Sequence, residues 1–185
     1  IGSCKYSDMT IFSFHPVKSI TTLEGGVITT NSKKLYRELR SLRNHGIEKK
    51  KRHPLWFYDV EKIGLNYRIS DVQCSLGNSQ LKKLNYIMKK RSIIAKIYDK
   101  ELIKENLISI PCYKARDISA NHLYVIKIDF KKLGINRTDF CKKMLKKNIG
   151  TQLHYIPIPL YKIYKKMGYN IKNLPNTQDY FNNAI

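Results

Sequence analysis

Lys18 lies within "IFSFHPVKSITTLEGGVITT", residues 11–30. An alternating apolar run there ends at His15-Pro16-Val17-Lys18, a turn rich in Ser, Thr and Gly follows, and a second apolar run begins. A primary amine held just past a strand end can form a Schiff base with an aldehyde, provided its surroundings keep part of it deprotonated. The hydroxyls of Ser13, Ser19, Thr21 and Thr22, with the backbone N–H groups of the turn, could hold a phosphate. The bland alternative is a solvated lysine in a hairpin connection, one cation among 35 Lys and Arg.

The elements that must position this lysine are legible around it. Residues 9–14 alternate and predict a strand with Ser13 and His15 on one side and Phe14 on the other. Pro16 has no N–H and a fixed φ, so the ladder stops there. Ligands bind at strand ends in α/β sheets. "GVITT" (26–30) predicts a second strand after Gly25-Gly26. Asn31-Ser32 caps a predicted helix "KKLYRELRSLR", which "NHG" (44–46) terminates. Residues 47–68 form a long irregular stretch with Trp56, Phe57, Tyr58 and Tyr67. Connections of that length are more often functional than idle, and the aromatics predict packing against another surface, such as a partner subunit.

Ser70-Asp71-Val72-Gln73 fits a capping box. Helical periodicity then runs through Leu76, Leu81, Leu84, Ile87, Ile94, Tyr98 and Leu102, as one long helix or two in series near Asn85. Beyond residue 106 the pattern predicts strands at "LISI", "HLYVIKIDF" (122–130) and "GTQLHY" (150–155), with a helix capped by Asn136 between the last two. Strand, helix and strand in that order imply a small α/β unit.

The 185 residues are 42% hydrophobic, which suits a globular chain, and no apolar run approaches a membrane span. The net charge of +21 admits a basic nucleic-acid-binding module as an alternative function. Its basic clusters, "EKKKRH" (48–53) and "KKMLKKN" (142–148), carry no recognisable binding motif and read as solvated faces. Cys4, Cys74, Cys112 and Cys141 form no CxxC pair, so reduced thiols, a cytoplasmic setting and no metal site are expected.

The segment "FSFHPVKSITTLEGGVITTN" resembles the active-lysine region of the pyridoxal-phosphate-dependent nucleotide-sugar aminotransferases. These are the DegT/StrS type, with the aspartate-aminotransferase fold (fold type I). "LRNHGI", "GLNYRISDVQCSLGNSQLKKL", "KRSIIAKIYDKEL", "NHLYVIKI", "FCKKMLKKNIGTQLHYIPIPL" and "LPNTQDYFNNAI" follow in the family's order and approximate spacing. The "SDMTIFSFHPVK" lead-in and the "HYIPIPL" loop are most similar to the pseudaminic-acid branch. That branch aminates C4 of a UDP-linked 4-keto-6-deoxy-N-acetyl-hexosamine, with L-glutamate as the expected donor.

The resemblance implies an α/β fragment of the fold. Residues 1–84 would be the C-terminal part of the large PLP-binding domain. Residues 85–185 would be a linking helix and a small C-terminal domain, incomplete at its end. Lys18 would be the Schiff-base lysine and proton shuttle, and Ser13 would hydrogen-bond the cofactor phosphate. Asn66 would reach the phosphate bound by a partner subunit, which implies a homodimer with shared sites. Arg68 could meet the nucleotide-sugar diphosphate, or make an interface salt bridge. His154 and Tyr155 match a loop near the sugar, where a purely structural role is the alternative. Glu24, Gly25 and Gly26 shape the turn. Related sugar dehydratases carry His at the active-lysine position, and Lys18 argues against that reading.

Leu23 departs from the pattern, which has Gly or Ala there. If a left-handed backbone is needed, Leu costs about 1 kcal/mol or more. If close packing is needed, it crowds the turn. The match begins about halfway along the family's chain. The residues here are therefore expected to be inactive and poorly soluble by themselves, without the Asp that pairs with the pyridine nitrogen.

Overall fold

A computed structural model describes residues 1–48, 54–110 and 118–185. Most of the basic cluster at 48–53 lies outside the described residues, as does Cys112. The chain divides into two compact units, Ile1–Ile87 and Met88–Ile185.

The first unit opens with β1 (Thr10–Ser13), which pairs antiparallel with β2 (Gly26–Thr29). The register sets Phe12 opposite Val27 and Ser13 opposite Gly26. A Cβ on Gly26 would fall 2.7 Å from the Phe12 carbonyl oxygen, so only glycine tolerates this approach. Helix α1 (Lys33–Leu42) follows, with the Ser32 hydroxyl accepting from the Leu35 N–H.

The stretch after α1 is less irregular than its sequence suggests. β3 (Ile47–Glu48) pairs antiparallel with β4 (Asp59–Val60), and Asn44 bridges Asn66 in the same antiparallel sense. Local alternation is too short to announce these pairings, because each is made by residues distant in sequence. Gly46, at φ 71°, lies where a Cβ would overlap the Lys62 carbonyl. Leu65 N–H donates to the Leu42 carbonyl, and Tyr67 N–H to that of Arg43. Residues 65–67 are thereby fastened along the end of α1.

The capping box is present: Gln73 N–H donates to Ser70 Oγ, and Gln73 Oε1 accepts from Ser70 N–H. It starts α2 (Asp71–Lys82), and α3 (Leu84–Leu102) follows after a break at Lys83. The long periodic run is therefore two helices in series, and α3 continues into the second unit.

In the second unit β5 (Ile108–Ser109) pairs antiparallel with β6 (Lys127–Ile128). The strand expected over 122–130 is thus far shorter. Ile126 exchanges both backbone hydrogen bonds with Ile185 instead, and Asp129 caps α4 (Phe130–Leu133) by accepting from Lys132 N–H. Helix α5 (Arg137–Lys146) is capped by Asn136 as expected. Residues 150–155 form no strand: they alternate, but no described segment pairs with them, and alternation alone does not make a ladder. Two short helices, α6 (Lys162–Lys166) and α7 (Pro175–Asn183), complete the unit.

The buried apolar side chains among the described residues are Ala95, Ile128, Phe130, Pro157 and Ala184, all in the second unit. Phe130 meets Phe140 edge to face at 5.7 Å. Lys127 pairs with Asp179 of α7 at 2.5 Å, and the Arg137 guanidinium lies over the Phe181 ring and donates to its carbonyl. No helix among the described residues is long and apolar enough to cross a membrane.

Candidate active site

Lys18 sits in the excursion between β1 and β2, whose neck is closed at Phe14. The Phe14 N–H donates to the Gly25 carbonyl at 2.9 Å, and the Phe14 carbonyl accepts from Thr22 N–H at 3.1 Å and Thr21 Oγ at 2.9 Å. Lys18 N–H donates to the His15 carbonyl at 2.9 Å. The backbone carrying the amine is therefore fixed, and the Lys18 side chain is half-buried. Ser13 is exposed at the end of β1, and its Oγ accepts from His15 N–H at 3.3 Å.

Two of the four hydroxyls considered for a phosphate have other work. Thr21 donates to Phe14, and Thr22, only 2% exposed, donates to the Glu24 carbonyl at 2.8 Å. Each hydroxyl has one proton, and these two close the turn.

Leu23 has φ 69° and its side chain is 61% exposed. The first reading of the small-residue position therefore holds: the turn asks for a left-handed backbone, and Leu crowds nothing. The Thr21 hydroxyl stabilises the bend by accepting from Leu23 N–H at 2.9 Å.

The turn rests on α2 and the residues before it. Gln73 Nε2 donates to the Glu24 carbonyl at 2.9 Å, and a Cβ on Gly25 would meet Ile69 at 3.3 Å. A Cβ on Gly77 would come within 2.9 Å of the Thr22 methyl, so this glycine in α2 permits close packing under the lysine turn. Gln73 was legible as a cap partner, but its bond to Glu24 spans 49 residues and left no local signal.

Asn66 and Arg68 precede α2 on the backbone fastened to α1, and both side chains are exposed. Arg68 makes no salt bridge among the described residues. Its Nη1 lies 2.8 Å from Asn44 Oδ1 and 2.9 Å from His45 Nε2. The sequence marked Asn44 and His45 as a helix stop within a family-like segment, with no partner for either side chain. The structure thus brings Lys18, Ser13, Asn66 and Arg68 into one compact unit. His154 and Tyr155 belong to the other, in the strandless stretch before the buried Pro157, where their rings meet edge to face at 4.5 Å.

Lys18 thus stands on a fixed turn at a strand end, underpinned by the start of α2. The sequence pattern of the DegT/DnrJ/EryC1/StrS aminotransferase family matches residues 2–185. The chain belongs to this family. Within it, the chain is 41% identical over 175 residues to the UDP-4-amino-4,6-dideoxy-N-acetyl-beta-L-altrosamine transaminase of Campylobacter jejuni, covering 95% of this chain and 45% of that protein.

Among solved structures of sugar aminotransferases, the chain is similar to Helicobacter pylori PseC, an aminotransferase involved in the biosynthesis of pseudoaminic acid. The TM-score is 0.87 at 32% identity, over 97% of this chain and 47% of that one. It is also similar to the PLP-form of the putative sugar aminotransferase Spr1654 from Streptococcus pneumoniae, with a TM-score of 0.84 at 28% identity, over 98% and 46%. The chain spans about half the length of the curated relatives it matches. Its architecture is a fragment of the sugar-aminotransferase fold, as the family resemblance implied.

Proposed function

We propose that the complete protein is a pyridoxal-phosphate-dependent aminotransferase. It transfers an amino group, from L-glutamate, to C4 of a UDP-linked 4-keto-6-deoxy-N-acetyl-hexosamine in pseudaminic-acid-type sugar biosynthesis. The observation that carries this reading is Lys18 on a closed turn just past β1, in a chain 41% identical to an altrosamine transaminase.

The residues present suit the cofactor: an amine on fixed backbone, with the exposed Ser13 hydroxyl at the same strand end, offers a carbonyl partner and a phosphate donor. Bound pyridoxal phosphate supplies the aldehyde and the electron sink. Lys18 Nζ removes the proton from the donor carbon and delivers one to the sugar C4. Ser13 donates to the phosphate, and Asn66 does so from the partner subunit of a homodimer. Arg68 binds the nucleotide diphosphate, and His154 and Tyr155 line the sugar. Residues up to 84 form the rear of the large cofactor-binding domain, and 85–185 the linking helix and small domain.

Three free cysteines among the described residues suit a cytoplasmic setting. Neither nucleic acid nor membrane is a partner in this reading.

The test is the absorbance band of the lysine-linked cofactor in the complete protein, read together with amine transfer from L-glutamate to the UDP-keto-sugar. Both should vanish in Lys18→Ala, with loss of at least three orders of magnitude in rate. A band that persists in that variant would remove Lys18 from the role.

A further inference from the structure

We propose that His45 is a positioning residue that holds the Arg68 guanidinium in register for the nucleotide-sugar diphosphate. The inference rests on the reading of Arg68 given above. Guanidinium nitrogens only donate. Arg68 Nη1 spends one hydrogen on Asn44 Oδ1 at 2.8 Å, so His45 Nε2, at 2.9 Å, is the acceptor of the other. This arrangement leaves Nε–H and Nη2, the edge whose two parallel N–H groups match two phosphate oxygens.

The backbone explains why a histidine there calls for a reason. His45 has φ 62°, directly before Gly46 at φ 71°. Glycine would satisfy that conformation with less strain, and histidine is only a tolerated choice. The turn therefore does not demand an imidazole, whereas Arg68 uses one.

Both partners are pinned. His45 N–H donates to the Leu65 carbonyl at 3.0 Å, Asn44 N–H to the Ser41 carbonyl at 3.0 Å, and Asn44 bridges Asn66. Ring and guanidinium thus stand on two segments held in fixed register, and a long flexible side chain is ordered before any ligand arrives. Pre-ordering of this kind raises affinity by lowering the entropy lost on binding.

The experiment compares His45→Gly, His45→Asn, Arg68→Met and the double variant His45→Gly/Arg68→Met in the complete, cofactor-loaded protein. UDP affinity is read by calorimetry, with KM and kcat for the nucleotide-sugar. His45→Gly should leave the thermal midpoint unchanged or higher, weaken UDP about three- to tenfold, and raise KM with kcat retained. His45→Asn, which tolerates the left-handed backbone and keeps an acceptor, should recover most of the loss. The double variant should bind UDP no worse than Arg68→Met alone.

Wild-type affinity in His45→Gly beside weakened Arg68→Met would overturn the positioning role and leave the Arg68 reading standing. So would a His45→Asn variant as weak as His45→Gly, or a double variant weaker than Arg68→Met. Unchanged affinity in Arg68→Met would overturn the Arg68 reading and this inference with it.

Discussion

Leu23 is held at φ 69°, five residues after the lysine proposed to do the chemistry, and its side chain is mostly in solvent. A left-handed conformation costs a β-carbon-bearing residue about 1–2 kcal/mol. Glycine escapes that cost but loses about 0.5–1 kcal/mol more chain entropy on folding. The first effect is the larger, and little buried surface is sacrificed. Leu23→Gly should therefore stabilise the complete protein by up to about 1 kcal/mol. Denaturant unfolding reads this directly, and a lowered midpoint would show that the Leu side chain is packed in the complete protein. The sequence could raise the question of Leu23 only as two alternatives. Dihedral angle and exposure decided between them, and neither is a property of residue type.

Among elements, α1 and the segment carrying Asn66 and Arg68 are tied by Lys62 Nζ donating to Glu38 Oε1 at 2.7 Å. That bond and the lysine charge hold the Glu38 carboxyl below its ordinary value of 4.5, and the same bond raises the Lys62 ammonium above 10.5. A depressed carboxylate contributes stability that is complete above its unfolded value and is lost as pH falls through the lower folded one. The raised lysine contributes below its unfolded value and loses that contribution as pH rises through the folded one. The pair therefore acts across the range between, and weakly, because both side chains are substantially exposed. Glu38→Gln should melt slightly below wild type at neutral pH and together with it in strong acid. A gap that persists in acid would mean that Glu38 acts through packing. The sequence could not pair these residues, since 24 positions separate them and each lies in a field of like residues. Both capping residues of neighbouring helices were legible, because a cap is satisfied within three residues.

At the scale of the whole molecule, the first unit buries Thr22, Ser41 and Gly46 among its described residues and no large apolar side chain. Ile11, Leu55, Trp56 and Val72 are all exposed. A unit with so many exposed apolar side chains and so few buried ones suits packing against other protein. Asn66 stands outward on fastened backbone in this unit, which suits its proposed reach to a partner's cofactor. Subunit mixing tests that reach. Lys18→Ala and Asn66→Ala should each be inactive or weak alone. Mixed and re-equilibrated in equal amounts, half of the dimers pair the two variants, and each of these holds one intact site. Activity should return to about a quarter of wild type. No recovery in dimers shown to have exchanged would place Asn66 and Lys18 in the same subunit's site.

The sequence by itself determined the family-like order of segments, the strand ends around Lys18, the helix starts at Ser32, Ser70 and Asn136, and the amine as first candidate for the chemistry. The strand ends and helix starts rest on near neighbours, because alternation, caps, proline and glycine act within a turn or two of chain. The segment order and the choice of amine rest on the family resemblance. Tertiary structure alone decided that residues 150–155 form no strand, that Thr21 and Thr22 close the turn, and that α2 supports it through Gln73 and Gly77. It alone set His45 against Arg68. Those outcomes depend on which distant groups meet, and a hydroxyl or imidazole has no assigned partner until the backbone brings one within hydrogen-bond reach.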